Sequence, residues 1–128
     1  MTDEQRSIGL AVVAASIAYF GASQHDFKAR ARTTKEVNAR HAAWLVMRTQ
    51  FGFSTTEIGA ITGHDHTTVC NGTSEARFEE LRPHLRVILR RVKESSSDAV
   101  RSHLLIGRIK KALFERPELF DALEAAIQ

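Results

Sequence analysis

The chain has 128 residues, 43% of them apolar, with two prolines and a single cysteine, Cys70. That length allows one folded core with a small appendage, and the apolar share excludes a disordered chain. One cysteine excludes an internal disulfide and any cysteine metal knuckle, so a reducing cytoplasm is the expected location.

Net charge is only +3, but it is clustered: Lys28, Arg30, Arg32, Lys35, Arg40 and Arg48 stand against one acid, Glu36, and Arg82, Arg86, Arg90, Arg91 and Lys93 form a second basic stretch. Such clustering suits a nucleic-acid partner.

Apolar residues recur at helical spacing along nearly the whole chain and no segment alternates with period two, so an all-α fold is expected. The longest apolar run, IGLAVVAASIAYF at 8–20, is too short to span a bilayer. It follows Asp3 and Glu4 rather than a basic leader, so neither a membrane anchor nor a secretory signal is expected. The spacing predicts a helix over 6–19 ending near Gly21, then a short helix over 23–28. KARARTTKEVNAR, at 28–40, lacks apolar periodicity before Val37 and reads as an exposed basic loop, with Thr34 placed to cap the next helix. That helix, over 35–50, sends Val37, Trp44, Leu45, Met47 and Phe51 toward a core and stops at Gly52.

Ser54-Thr-Thr-Glu57 fits a capping box at the start of a short helix reaching Ile61. Thr62 and Gly63 form a turn, and His64 or Asp65 opens another helix to about Phe78. Helix, tight glycine turn, helix is the pattern of a helix-turn-helix. Past Leu81 the composition shifts, and the chain divides into a unit over 6–80 and a helical extension over 81–128. In the extension, 82–93 reads as a basic amphipathic helix with Leu81, Leu85, Ile88 and Val92 on one side. Three serines at 95–97 suggest a linker, Asp98 caps a helix to about Phe114, and Pro117 opens a last helix with Leu119, Leu123 and Ile127 in a stripe.

The polar run His64-Asp65-His66-Thr67-Thr68 at a helix start, together with the arginine-bearing loop, matches the needs of one docking pose. Short polar side chains on the first turn of a recognition helix reach base edges in the major groove, and a threonine methyl meets the thymine methyl. An arginine arm lies meanwhile in the neighbouring minor groove. A metal site is not expected, because successive residues at a helix start point in different directions and no partner acid or histidine cluster accompanies them. No cofactor and no enzymatic activity are expected either: none of the seven glycines precedes a lysine, so there is no phosphate-binding loop. Trp44, Phe51 and Phe53 read as core, Cys70 as a small packing residue on the inner side of its helix, and His25, His41, His84 and His103 as surface residues.

Over residues 8–80 the chain resembles the C-terminal DNA-binding domain (domain IV) of the bacterial replication initiator DnaA, a helical bundle of the Trp-repressor-like helix-turn-helix class. AASIAYFGASQHDFKAR is similar to that family's opening helix and its continuation, ARHAAWLV to its next helix, and STTEIG followed by DHTTV to its signature. The resemblance implies that Asp65, His66 and Thr67 face bases, Thr68 holds a phosphate, Thr56 approaches from the preceding helix, Arg32 enters the minor groove, and Arg40 and Arg48 clamp phosphates. Arg30, Thr55, His64 and Asn71 complete the expected DNA-facing set. Between Gly59 and Asp65 this chain is one residue shorter than the family pattern, with His64 in place of an arginine.

The expected function is therefore sequence-specific binding of double-stranded DNA by a cytoplasmic, nucleoid-associated transcription regulator, an activator similar to those of phages and gene transfer agents. Residues 81–128 would contact RNA polymerase or another protein, or form a homodimer. Two alternatives stay open at this point: a replication accessory that binds origins without ATPase activity, and a protein adaptor whose DNA surface has decayed.

Overall fold

Thr2 starts the first helix earlier than apolar periodicity suggests. In the computed structural model, which describes residues 2–23 and 34–94, α1 spans Asp3–Phe20. The Thr2 hydroxyl accepts the Gln5 N–H at 3.1 Å, and the Gln5 side chain accepts the Thr2 N–H at 2.9 Å. This reciprocal cap satisfies donors that a helix start leaves free, so the helix begins before residue 6. Gly21, in the left-handed region at φ 69°, ends it as expected. The four remaining helices are α2 (Thr34–Gln50), α3 (Thr55–Thr62), α4 (His66–Gly72) and α5 (Glu75–Glu94). There is no strand among the described residues, and the fold is all-α. The short helix expected over 23–28, the loop arginines Arg30 and Arg32, and every element expected beyond Glu94 lie outside the described residues.

α2 is the axis of the bundle. Ala39, Ala42, Ala43, Trp44, Leu45, Val46 and Met47 are all buried, which leaves no solvent side along that stretch. α1, α3, α4 and α5 all pack against it. Periodicity suggested a single apolar stripe, but the three alanines let neighbouring helices come close on the other sides as well. Val37 is only half-buried, while Phe51 and Phe53 join the core. From α1, Ile8, Val12 and Val13 point inward beside Ser16, whose hydroxyl donates to the Val12 carbonyl at 2.9 Å and so enters the core satisfied.

The helix expected to run on to Phe78 instead stops at Gly72, and a new one starts at Glu75. Thr73 and Ser74 break it because their side chains take over backbone partners. The Thr73 hydroxyl donates to the Val69 carbonyl at 2.8 Å, and Ser74 Oγ accepts the Arg77 N–H at 3.3 Å. α5 then runs without interruption past Leu81, where the composition shifts, and through Pro83. Pro83 removes one backbone donor from the helix. Pro83 and Glu79, the residue whose carbonyl the missing donor would have bonded, both sit on the exposed side of α5, where that loss costs least. Leu81, Leu85, Ile88 and Val92 bury one stripe of α5 against α1 and α2. Among the described residues no helix is long and apolar enough to cross a membrane.

The expected capping box of α3 is present: Ser54 N–H donates to Glu57 Oε1 at 2.9 Å and Glu57 N–H to Ser54 Oγ at 3.1 Å. Ser54→Ala is expected to lower the unfolding free energy by about 1 kcal/mol, measured by urea denaturation. An unchanged midpoint would show that the cap contributes nothing.

Candidate nucleic-acid interface

A tight turn joins α3 to α4, and one carbonyl organises it. The Gly59 C=O accepts the N–H of Gly63 at 2.8 Å and that of His64 at 3.0 Å. Gly63 takes φ 75°, a left-handed conformation that costs glycine little. Asp65 then serves as the N-cap residue of α4, its carbonyl accepting the Val69 N–H at 3.1 Å. Its carboxylate makes no capping hydrogen bond and lies 3.3 Å from His66 Nδ1, with both side chains 62% exposed.

α4 touches the protein along a narrow line. Only Val69 and Gly72 are buried, and His66, Thr67, Thr68, Cys70 and Asn71 are exposed. Asp65 at its entrance and Thr56 on α3 are exposed as well, and Thr55 is half-buried. The expected inner position of Cys70 is therefore incorrect. Three residues before Gly72 stands Val69, and that pair alone turns inward, which rotates Cys70 to the solvent side.

The buried edge of the turn is seated on Trp44, which is 1% exposed. Its Nε1 donates to Thr62 Oγ1 at 3.2 Å, and Thr62 Oγ1 donates to the Ile58 carbonyl at 2.9 Å. His64 packs edge-on against the indole, ring centroids 5.1 Å apart, with Nδ1 3.3 Å from Thr62 Oγ1. At the other end of α4 the indole lies so close to Gly72 that a Cβ there would stand 2.6 Å from Trp44 Cε3. His64, expected in the DNA-facing set, thus packs toward the core side of the turn. It is half-buried and belongs to the seat of the turn.

Arg40 departs too. It is 7% exposed beside an equally buried Glu36, and burial lowers its pKa from the ordinary value while Glu36 opposes that shift. Arg40, expected to clamp a phosphate, thus leaves little of its surface open to a partner. Arg48 is exposed, and its Nη1 donates to Thr73 Oγ1 at 2.6 Å, which ties the end of α2 to the end of α4.

Arg77 was not singled out by sequence reasoning and has no signal beyond an acid three residues on. It donates from Nη1 to Glu80 at 2.7 Å, from Nε to His41 Nδ1 at 2.9 Å and from Nη2 to Asn38 Oδ1 at 2.8 Å. It thereby fastens the start of α5 to α2, directly behind α4. The surface reading of His41 and His84 is corrected by these contacts. Both are half-buried, and His84 Nδ1 lies 2.7 Å from the Tyr19 hydroxyl.

Burial first, then the nearby Arg77 and Arg40 guanidinium groups, lower the His41 pKa from 6.5 to about 4, against a small opposing pull from Glu80. His41 is thus neutral in the folded protein, leaving Nδ1 free to accept from Arg77. Because its folded pKa lies below the unfolded one, the stability it contributes is complete above about pH 6.5 and is lost as pH falls through about 4. Melting temperature is expected to drop across that window, and less steeply in His41→Gln, which keeps an acceptor without titrating. Parallel curves for the two proteins would contradict this account.

Among the described residues no group of three or more His, Cys, Asp or Glu side chains is arranged to hold a metal ion. The face offers instead hydroxyl, amide, imidazole and carboxylate groups on one short helix, the donors and acceptors that base edges and phosphates complement. The family model described as bacterial dnaA protein helix-turn-helix matches residues 11–75. No curated protein and no solved structure matches the chain.

Proposed function

The chain belongs to the bacterial DnaA helix-turn-helix family, and from that premise we propose that it is a sequence-specific reader of double-stranded DNA acting as a transcription regulator, in the manner of an activator. The observation that carries this reading is the rotation of α4. Two buried residues anchor it and five polar or small ones face outward, an allocation that stability alone does not require. In this proposal His66, Thr67 and Asn71 meet base edges, joined by Asp65 at the helix entrance. Thr68, Thr55, Thr56 and Arg48 meet the flanking backbone, and Arg30 and Arg32 reach the minor groove. Arg40 and His64 act from inside, holding the geometry that the outer residues use.

The regulator role is supported by the sequence beyond the family match, which adds α5 and residues 95–128 to the DNA-binding unit. Contact with RNA polymerase or another protein, or a homodimer, is proposed through residues 81–128. Since Leu81, Leu85, Ile88 and Val92 are committed to the core, such a contact falls to the exposed arginines of α5 and to residues 95–128. Footprints at promoters are expected. Footprints confined to a replication origin would overturn the transcriptional part and leave DNA reading intact.

Selection from random duplex DNA is expected to enrich one motif, and recovery of no motif at low salt would overturn sequence-specific reading. On that motif, His66→Ala or Thr67→Ala is expected to cost about 1–2 kcal/mol, with little change on random DNA. Arg48→Ala should weaken both alike and reduce the salt slope by about one. Competition binding measures all three variants, and equal losses on target and random DNA for His66→Ala would remove it from the base-facing set.

A further inference from the structure

Thr73 follows the last residue of α4, and its hydroxyl has partners on both sides. It donates to the Val69 carbonyl at 2.8 Å, with a longer contact to the Cys70 carbonyl at 3.3 Å, and it accepts from Arg48 Nη1 at 2.6 Å. One hydrogen and two acceptor sites on a hydroxyl let these bonds coexist. Thr73 is 8% exposed while Arg48 is exposed, so the threonine is the fixed member of the pair and the arginine the guided one.

Arg40, Arg48 and Arg77 all act at α2, and they use their donors differently. Arg77 gives three nitrogens to Glu80, His41 and Asn38. Arg40 is buried beside Glu36. Arg48 gives one nitrogen to a neutral hydroxyl, and among the described residues no carboxylate pairs with it. A carboxylate partner would have oriented the guanidinium and cancelled its charge, whereas a hydroxyl orients it and leaves the charge for an outside anion. The rest of the planar fork, which suits a phosphate, stays open to solvent.

We propose that Thr73 is a positioning residue for DNA binding: its buried hydroxyl holds the Arg48 fork at the end of α4 so that the open nitrogens meet a phosphate of the flanking strand. This rests on the DNA-reading function proposed above. Holding the long side chain in place before DNA arrives removes part of the ordering cost that binding would otherwise carry. The same hydroxyl closes α4, so the end of the helix that meets bases and the arginine that meets the backbone are set by one side chain.

Phosphate contact is independent of sequence, so a labelled random-sequence duplex at low salt serves as the probe, with anisotropy followed across a salt series for the full chain. Thr73→Val keeps the shape and removes the hydroxyl, and is expected to weaken binding about threefold to tenfold, the equivalent of one hydrogen bond. Thr73→Ser restores the hydroxyl and with it the affinity. Arg48→Ala weakens binding and lowers the salt slope by about one. Adding Thr73→Val to Arg48→Ala changes affinity by less than about twofold, because the group it positions is gone. Arg48→Lys leaves the buried site untouched, keeps the charge and lacks the fork, so it loses about threefold to tenfold at an unchanged slope. Circular dichroism verifies that each variant is folded. Undiminished binding by Thr73→Val, or an equal loss with and without Arg48, would overturn the positioning role and leave DNA reading intact. Undiminished binding by Arg48→Lys would overturn the held fork. No effect of Arg48→Ala would overturn its phosphate contact and the proposal with it, and failure of the unaltered chain to bind the duplex would overturn the DNA-reading function itself.

Discussion

Trp44→Ala is expected to lower the unfolding free energy by about 3–5 kcal/mol, the largest effect of any substitution considered, because it removes a fully buried aromatic side chain and leaves a cavity. The indole touches three parts of the DNA-reading unit at once. It donates to Thr62 at the end of α3, supports His64 in the turn, and lies under Gly72 at the end of α4. Collapse of the surrounding side chains cannot fill a space bounded by three backbone segments that are themselves fixed by hydrogen bonds. A loss of that size is a large fraction of the roughly 5–15 kcal/mol available to a domain. Trp44→Phe separates the contributions. It keeps most of the volume and loses the donated hydrogen bond, for an expected cost of about 1 kcal/mol or slightly more. Trp44 is the only tryptophan, so unfolding of the variants is followed by circular dichroism in urea rather than by intrinsic fluorescence. A cost below about 1 kcal/mol for Trp44→Ala, with DNA affinity preserved, would show that the turn is seated elsewhere.

Gly59→Ala sets two effects against each other, and their magnitudes decide the sign. Alanine is the better helix former by about 1 kcal/mol, so at an open position the substitution would stabilise α3. At this position the new Cβ would stand 2.4 Å from the His64 carbonyl oxygen. That atom belongs to the backbone and cannot swing away as a side chain would. The turn must move, and with it the paired hydrogen bonds from Gly63 and His64 that the Gly59 carbonyl accepts. The net expectation is a destabilisation of about 2–3 kcal/mol, as for other overpacked sites. DNA affinity should fall as well, since Asp65 and His66 come directly after the displaced turn. Urea denaturation and competition binding provide the two readouts. A gain in stability would mean that the turn accommodates the methyl group, and that the close approach of α3 to the turn is not essential.

Both predictions concern residues behind the polar face, and neither was visible as functional in the sequence. Trp44 was legible as core but not as the seat of the turn. Gly59 was legible only as part of a motif. What could be read directly was local. The Ser54–Glu57 cap, the stops at Gly21 and Gly52, the glycine turn at Gly63 and the family signature all depend on residues a few positions apart. The start of α1 was missed because its cap pairs a threonine with a glutamine, a weaker signal than the serine and glutamate of α3.

The amino-acid order by itself determined the all-α class, the helix-turn-helix and membership of the DnaA family, because capping, turn chemistry and helical periodicity are set by neighbours within about four residues along the chain. Tertiary structure alone decided which members of each polar cluster face outward. Arg40 and His64 turn in, Cys70 turns out, and His41 becomes a neutral acceptor. Those outcomes rest on contacts such as Trp44 to Thr62, 18 residues apart, and Arg77 to His41 and Asn38, 36 and 39 residues apart. Local pattern fixes where a helix lies in the sequence. Its rotation about its own axis is fixed only when other helices pack against it, and that rotation is what separates a residue presented on the surface from one that holds the turn in place.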